Sequence, residues 1–492
     1  MSRLLVTFSI LVVLLTGCAT TATKKLIDLG QESRRNEISS IRHLGYLYET
    51  GDGVEQDIGK AIAWYRKGIE EDDAWSQCKM GELYRDGRGV EQNFKVSADW
   101  FRKAAEQDDT LGAYFLGRCF EYGLGVEIDE FLAFEWYHKA ALDGHSGAQF
   151  KVGYFCANGI AVARNEFEAS HWYALAAEQG SASAKNNLGR FFENAEYIEN
   201  HLELAACWYE QAAEQGNAEA QRNIAICYKL GTGVETNLPK AIEWYTRSAA
   251  GGNAKAQYSL AQCYRKGIGT ETNAVEAVKW FREAAERGHV KAQYNLGWGY
   301  AHGYGIEKDA AMAIKWYRVA AKHGHVSAQY NLAQRYRSGE DVDVDMEQAV
   351  YWYRKAAGQG HVKAQNSLGY RYKNGEGVAQ NHEQAVYWFR EAAEKGYASA
   401  QDSLGECYYN GDGVEKDYAL AFEWFSKAAA QGNKYSQNWL GDMYANGQGV
   451  ELDMNTAYEW YSKAAAQGHE SAVLQLESMG THHGFTQHGN AE

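Results

Sequence analysis

Residues 254–288 read AKAQYSLAQCYRKGIGTETNAVEAVKWFREAAERG. In the second half, Ala277, Trp280, Phe281, Ala284 and Ala285 fall at i, i+3, i+4, i+7 and i+8, one face of a helix with 3.6 residues per turn. In the first half, Ala256, Leu260 and Tyr264 are four apart and share a face of another helix. Gly267-Ile268-Gly269 separates the two, and Gly288 follows the second. Glycine just past a helix takes the left-handed conformation that residues with a Cβ resist, so these positions read as helix stops. The stretch is therefore a helical hairpin with large rings beside small alanines.

The hairpin recurs along the chain. Trp64, Trp100, Trp136, Trp172, Trp208, Trp244, Trp280, Trp316, Trp352, Trp388, Trp424 and Trp460 are each 36 residues apart. The next residue is always Tyr or Phe, and Ala stands three residues before each Trp except at Ser97. One hairpin cannot bury its own aromatic face, whereas stacked neighbours close a continuous core. A single proline, Pro239, in 492 residues fits helices cut by glycine turns. The expected fold is all-α: a right-handed α-solenoid of twelve 36-residue helix–turn–helix units over 37–468, a capping helix over 469–480 and a loose tail over 481–492. Repeat five loses both turn glycines (Glu193-Asn194-Ala195-Glu196-Tyr197), and repeat nine loses the second (Gly339-Glu340-Asp341). Length is kept in both, so the stack is expected to continue through an altered turn.

The pattern A-x-x-x-LG-x-x-Y-x-x-G-x-GV followed by A-x-x-WY-x-x-AA-x-x-G resembles the Sel1-like repeat. That repeat is a relative of the tetratricopeptide repeat, whose period is about 34 residues. The resemblance implies an adaptor or scaffold that binds a protein or peptide partner. In bacteria it implies export and a part in envelope assembly, signalling control or host contact.

The first residues form a separate unit. Arg3 precedes a twelve-residue apolar run, Leu4 to Leu15, too short for a spanning helix of about 20 residues. Residues 1–17 therefore read as an export signal, outside the fold. Leu15-Thr16-Gly17-Cys18 resembles a bacterial lipobox, which implies cleavage before Cys18 and lipid on its sulfur. Each buried acyl CH₂ contributes about 0.8 kcal/mol, so several chains anchor firmly. Ala19 stands where an aspartate would favour the inner membrane, which points to the outer membrane, at its periplasmic side or the cell surface. Residues 18–36 carry the lipidated cysteine and a tether. The formal charge is −15, or −16 without residues 1–17. Nucleic-acid binding, which needs clustered Lys and Arg, is excluded by this balance.

Candidate chemistry fails on context. The Gly-x-Gly pairs (Gly51/Gly53, Gly87/Gly89, Gly411/Gly413) close helices rather than follow strands, so they are not phosphate loops. Ser76-Gln77-Cys78-Lys79 matches S-x-x-K but lacks the S-D-N and K-T-G elements of a β-lactamase-like hydrolase. Asp341, Asp343 and Asp345 begin like a calcium loop, yet its sixth and twelfth positions are Met346 and Trp352. Cys119, Cys227, Cys263 and Cys407 share one repeat position, about 10 Å apart in stacked hairpins and too far for disulfides, so they read as buried thiols. His145, His289, His325, His361 and His469 sit at inter-repeat turns and read as turn residues. His482, His483 and His488 carry no metal assignment. No catalytic residue, cofactor or metal is expected.

Positions that vary between repeats are free to make contacts, and they lie on the first helix of each unit. One position holds Asn187, Asn223, Asn295 and Asn331, whose amides can pair with a peptide backbone. Another holds Lys229, Arg265, Arg337 and Lys373, a basic stripe suited to carboxylates. A third holds Phe150, Tyr258, Tyr294 and Tyr330. The expected function is a lipid-anchored scaffold in the bacterial envelope, holding a protein or peptide on these helices. A surface virulence factor that binds a host protein, and a scaffold for polysaccharide export or wall assembly, share the same fold and anchor.

Overall fold

The computed structural model describes residues 21–340 and 342–486. Residues 1–17, Cys18, Asp341 and His488 lie outside the described residues, as do the side chains of His482 and His483. Twenty-five helices and no strand occur among the described residues. They run as pairs, a leading and a trailing helix per repeat, from Thr21–Thr50 and Ile58–Glu70 to Lys434–Asn446 and Met454–Ala466, with Glu470–Thr486 last. The first helix begins well before the first repeat, so the backbone of residues 21–36 is helical. The chain divides into two compact units, residues 1–244 and 245–492, each described here by itself.

Local chemistry sets the helix ends. Almost every trailing helix starts from an Asp or Asn whose side chain accepts from the backbone N–H three residues on, as Asp309 does from Met312 and Asn381 from Gln384. Leading helices end on a left-handed glycine, such as Gly267 and Gly375. The second turn glycine has a different cause. A Cβ on Gly125 would lie 2.2 Å from the Phe94 carbonyl oxygen, and one on Gly305 would lie 2.1 Å from that of Ala274. The turn thus rests against the start of the preceding trailing helix, and only glycine permits that approach.

The core is built from the residue after each tryptophan. Tyr65, Phe101, Tyr137, Tyr317, Tyr353, Phe389 and Phe425 are at most 1% exposed, whereas most of the tryptophans are only partly covered. Each ring lies over a small residue of the leading helix in its own repeat; a Cβ on Gly441 would meet Tyr461 at 2.5 Å. Burying such a ring stabilises by about 1.5–3 kcal/mol. Partly exposed tryptophans carry a lysine three residues on, with Lys67, Lys427 and Lys463 lying 4.0–4.2 Å from the rings of Trp64, Trp424 and Trp460.

Between repeats, a buried glutamine recurs at the position of Gln257. Gln329 is 3% exposed. Its Nε2 donates to the carbonyl of Ala321 at the end of the preceding repeat, 3.1 Å away. Its Oε1 accepts from Gln359 at the end of its own repeat, at 2.8 Å. Gln149, Gln401 and Gln437 make the same two bonds. The histidines of the Gly-His steps form a second tie. His145, His325 and His361 cap leading helices, with Nδ1 accepting from the backbone N–H of Ala148, Ala328 and Ala364. Each ring also stacks on a tyrosine of the preceding repeat: Tyr114, Tyr294 and Tyr330, with centroids 4.3, 4.5 and 4.6 Å apart.

Among the described residues no cysteine is joined in a disulfide; six are buried, and Cys207 is exposed. Burial pushes the thiols of Cys119 and Cys227 up to about 11, which keeps them inert at neutral pH.

Two predictions follow from these ties. Gln329→Ala leaves a carbonyl and the Gln359 amide without partners and should cost about 1–3 kcal/mol in urea unfolding. Gln257→Ala should cost less, because Oε1 of Gln257 has no partner to lose. Burial holds the His325 and His361 imidazoles below their ordinary range, with Lys291 and Lys363 adding to the effect. A depressed folded-state value means that the caps stabilise fully above about pH 6.5 and lose that contribution as the pH falls through the folded value. Melting temperature should therefore drop from pH 7.5 to 5, and the drop should shrink when His325 and His361 are both replaced by Asn, the residue at Asn217 and Asn433; an unchanged drop would show that the caps are not its source.

Candidate functional site

The leading helices carry the positions that differ most from repeat to repeat, and the structure shows which of their side chains are already engaged. In residues 245–492, Tyr258 stacks on His289 at 4.4 Å, and its hydroxyl accepts from Gln262 at 3.0 Å. The Gln262 carbonyl oxygen in turn accepts from Arg265 Nη2 at 2.7 Å. Repeat nine reproduces the chain through Tyr330, Gln334 and Arg337. The tyrosine and arginine positions are thus one connected network. The rings pack between repeats, and each guanidinium is steered by a glutamine while keeping further N–H donors for a partner. Tyr294 has the same packing role against His325. Asn295 donates to the Lys291 carbonyl of its own helix at 2.7 Å, and Asn331 lies close enough to the Tyr317 hydroxyl to offset part of the rise that burial gives it. Lys373 pairs with Glu406 at 2.9 Å. Burial alone would lower the Lys373 ammonium, but its bond to Glu406 holds it above the ordinary range.

In residues 1–244, Asn223 donates to Asn186 at 3.1 Å and accepts from Arg222, and Lys229 is half-buried. Asn187 lies elsewhere in character: it lines a cavity of about 500 Å³. The cavity is bounded by the leading helices Ser146–Asn158 and Ala182–Glu193, the trailing helix Glu166–Glu178 and the start of Ala218–Leu230. Tyr154, Asn158, Arg190, Phe191, Asn194 and Asn217 stand in its wall.

The cavity coincides with the irregular repeat. Ala182–Glu193 ends one residue early, on Asn194 at φ −100° rather than on a left-handed glycine. Asn200 takes the left-handed turn instead, at φ +56°, and its side chain makes no cap bond. Tyr197 occupies the place of the second glycine. It cannot approach the preceding helix as glycine does, and its ring lies out in solvent, 64% exposed, beside Phe167 at 5.7 Å. In repeat four Ala161 fills the same position at φ +60°. The side chain at Ala157 is small, as at Ala301 and Ala445, where the remaining repeats carry Glu, Lys, Arg or Tyr. Arg190, Asn194 and Asn217 were not singled out by sequence; the missing glycines beside Ala157 were the available signal.

No constellation for covalent chemistry forms at the S-x-x-K sequence. The Ser76 hydroxyl donates to Asp73 at 2.6 Å, and Lys79 pairs with Glu82 at 3.1 Å. Asp345 caps a trailing helix through Gln348. Among the described residues no group of His, Cys, Asp or Glu could hold a metal ion, and no helix is long and apolar enough to cross a membrane.

Comparisons agree with this architecture. The Sel1 repeat family matches twelve times, from residues 38–73 to 434–469. The chain is similar to c5321, a protective antigen present in uropathogenic Escherichia coli strains displaying an SLR fold. The two are 35% identical, with a TM-score of 0.69, over 85% of this chain and 90% of that one. It is also similar to a Sel1 repeat protein from Oxalobacter formigenes, at 32% identity and a TM-score of 0.49, over 63% of this chain and 89% of that one. No curated protein matches. Twelve matched repeats in one register, and a solved relative with the same fold across most of its length, show that this chain belongs to the Sel1-repeat family, as an all-α solenoid.

Proposed function

We propose that the protein is a lipid-anchored scaffold of the bacterial envelope, holding a protein partner on its leading helices. Sel1-repeat proteins generally act as interaction scaffolds, and no enzyme family is indicated for this chain. The observation that carries the reading is a division of labour within each repeat. Ala256, Gln257, Leu260, Ala277, Phe281, Ala284 and Ala285 and their counterparts build a buried frame. The positions of Tyr258, Gln262 and Arg265 change identity between repeats and reach the surface of the leading helix. A frame repeated for stability with a face varied for contact suits recognition rather than catalysis.

The envelope location rests on Arg3, the apolar run Leu4 to Leu15 and the lipobox-like Leu15-Thr16-Gly17-Cys18. The description of the similar c5321 protein as a protective antigen supports it, and is the reason to keep recognition of a host protein as the second reading. Metabolic labelling with a palmitate analogue should mark the full chain in cells and fail on Cys18→Ser; equal labelling of both would remove the anchor from the proposal.

For the partner, the purified chain lacking residues 1–18 should capture the same envelope protein repeatedly from extract. Arg265→Ala combined with Arg337→Ala should reduce that capture by about tenfold, the loss expected for removing exposed charge-assisted bonds. Undiminished capture would take the arginine positions out of the contact surface.

A further inference from the structure

The cavity at repeats four to six is a recess in the varied helix surface, walled by residues of three successive repeats. Arg190 stands exposed on Ala182–Glu193, and among the described residues its guanidinium makes no hydrogen bond or ion pair. Arg265 and Arg337 are steered by glutamines, and Lys373 is paired; Arg190 is not. The other arginine of the wall, Arg164, is neutralised by Glu166. Three amides each spend one end on their own helix. Asn158 and Asn194 donate to the carbonyls of Tyr154 and Arg190, which leaves their oxygens as acceptors. Asn217 accepts from Ala220, which leaves its Nδ2 as a donor. Tyr154 and Phe191 supply ring surface between them.

Free acceptors, a free donor and an unpaired planar cation form a mixed set. A peptide backbone, which offers N–H and C=O in alternation, satisfies such acceptors and donors together. A guanidinium takes a carboxylate in two parallel bonds. The amides come from three successive repeats, about 20 Å of stacked helices, which matches about six residues of extended chain. A volume of about 500 Å³ lies within the range of built ligand sites. Glu219 at the wall and the net charge of −15 exclude a polyanion. The match is a peptide with one carboxylate among uncharged residues.

We propose that this recess is a peptide-docking site, in which an extended, mainly neutral segment of a partner lies across the asparagine amides and places one Asp or Glu side chain on Arg190. The proposal rests on the scaffold reading above and adds to it the place and chemistry of one contact. The irregular repeat is then the functional one: the glycines were lost where the turn had to stand clear of a ligand.

The test uses the chain lacking residues 1–18 and two pools of random hexapeptides capped at both ends, one with Asp as its only charged residue and the other with Asn in its place. Affinity selection read by mass spectrometry should retain the Asp pool at least about tenfold over the Asn pool. Arg190→Gln should abolish the preference, Arg190→Lys should keep part of it, and all three proteins should melt alike, because Arg190 holds nothing in place. Equal retention of the two pools, or a preference that survives in Arg190→Gln, overturns the proposal. If neither pool binds while the envelope partner is still captured, the recess proposal falls and the scaffold reading stands. If the Asp pool binds through Arg190 while no partner is ever captured, the recess stands and the scaffold reading falls.

Discussion

Everything in this structure depends on how one hairpin is held to the next, and the interaction that does it most consistently is a buried amide. The glutamine at the position of Gln257 reaches back to a carbonyl at the end of the preceding repeat, and in most repeats also takes a bond from the end of its own. A helix end leaves carbonyls without intrahelical partners, and here they face an apolar core where water cannot serve them. The glutamine satisfies them from inside. Because both of its ends are used, turning or shifting one repeat against its neighbour breaks two bonds at a buried place, where an unmet polar group costs most. The alanines and rings supply most of the burial, and the glutamine fixes the angle and register at which that burial happens.

The frame also explains the tolerance for change elsewhere. Second glycines are required only where the turn touches the previous helix. Where Ala161 and Tyr197 replace them, the hairpin pair is still made through Ala184, Leu188, Ala205 and Tyr209, all at most 3% exposed. Altering the turn therefore changes the surface and leaves the core intact. That separation lets a repeat protein acquire a recess without losing its stack.

Much of this was legible in the sequence. The 36-residue spacing of tryptophans gave repeat number and register, and the glycines marked helix ends as observed at Gly267 and Gly375. The site was less legible, for a physical reason. A residue on a helix surface is available or engaged according to a neighbour 30 or more residues away, and composition does not show which. Asn223 and Lys373 looked alike as free contacts, and both are taken by partners 37 and 33 residues off. The histidines were read as turn residues, but their use as caps with a stacked tyrosine needs the geometry of two repeats. The buried glutamine was visible as a recurring letter, yet its role depends on the direction of an amide inside a core.

The glutamine tie has one more consequence, for how such a chain is inherited. Each tie connects a residue to one eight positions back and to one thirty positions on. Copying or deleting one whole unit of 36 residues hands the remaining glutamines an equivalent carbonyl, and keeps the donor wherever the repeat supplies one. Copying any other length leaves the amides at the junction facing nothing. Gene rearrangement in this chain is thereby quantised: length can grow or shrink by whole hairpins at little cost, while small insertions are purged. The unbroken spacing of its tryptophans is the record of that filter.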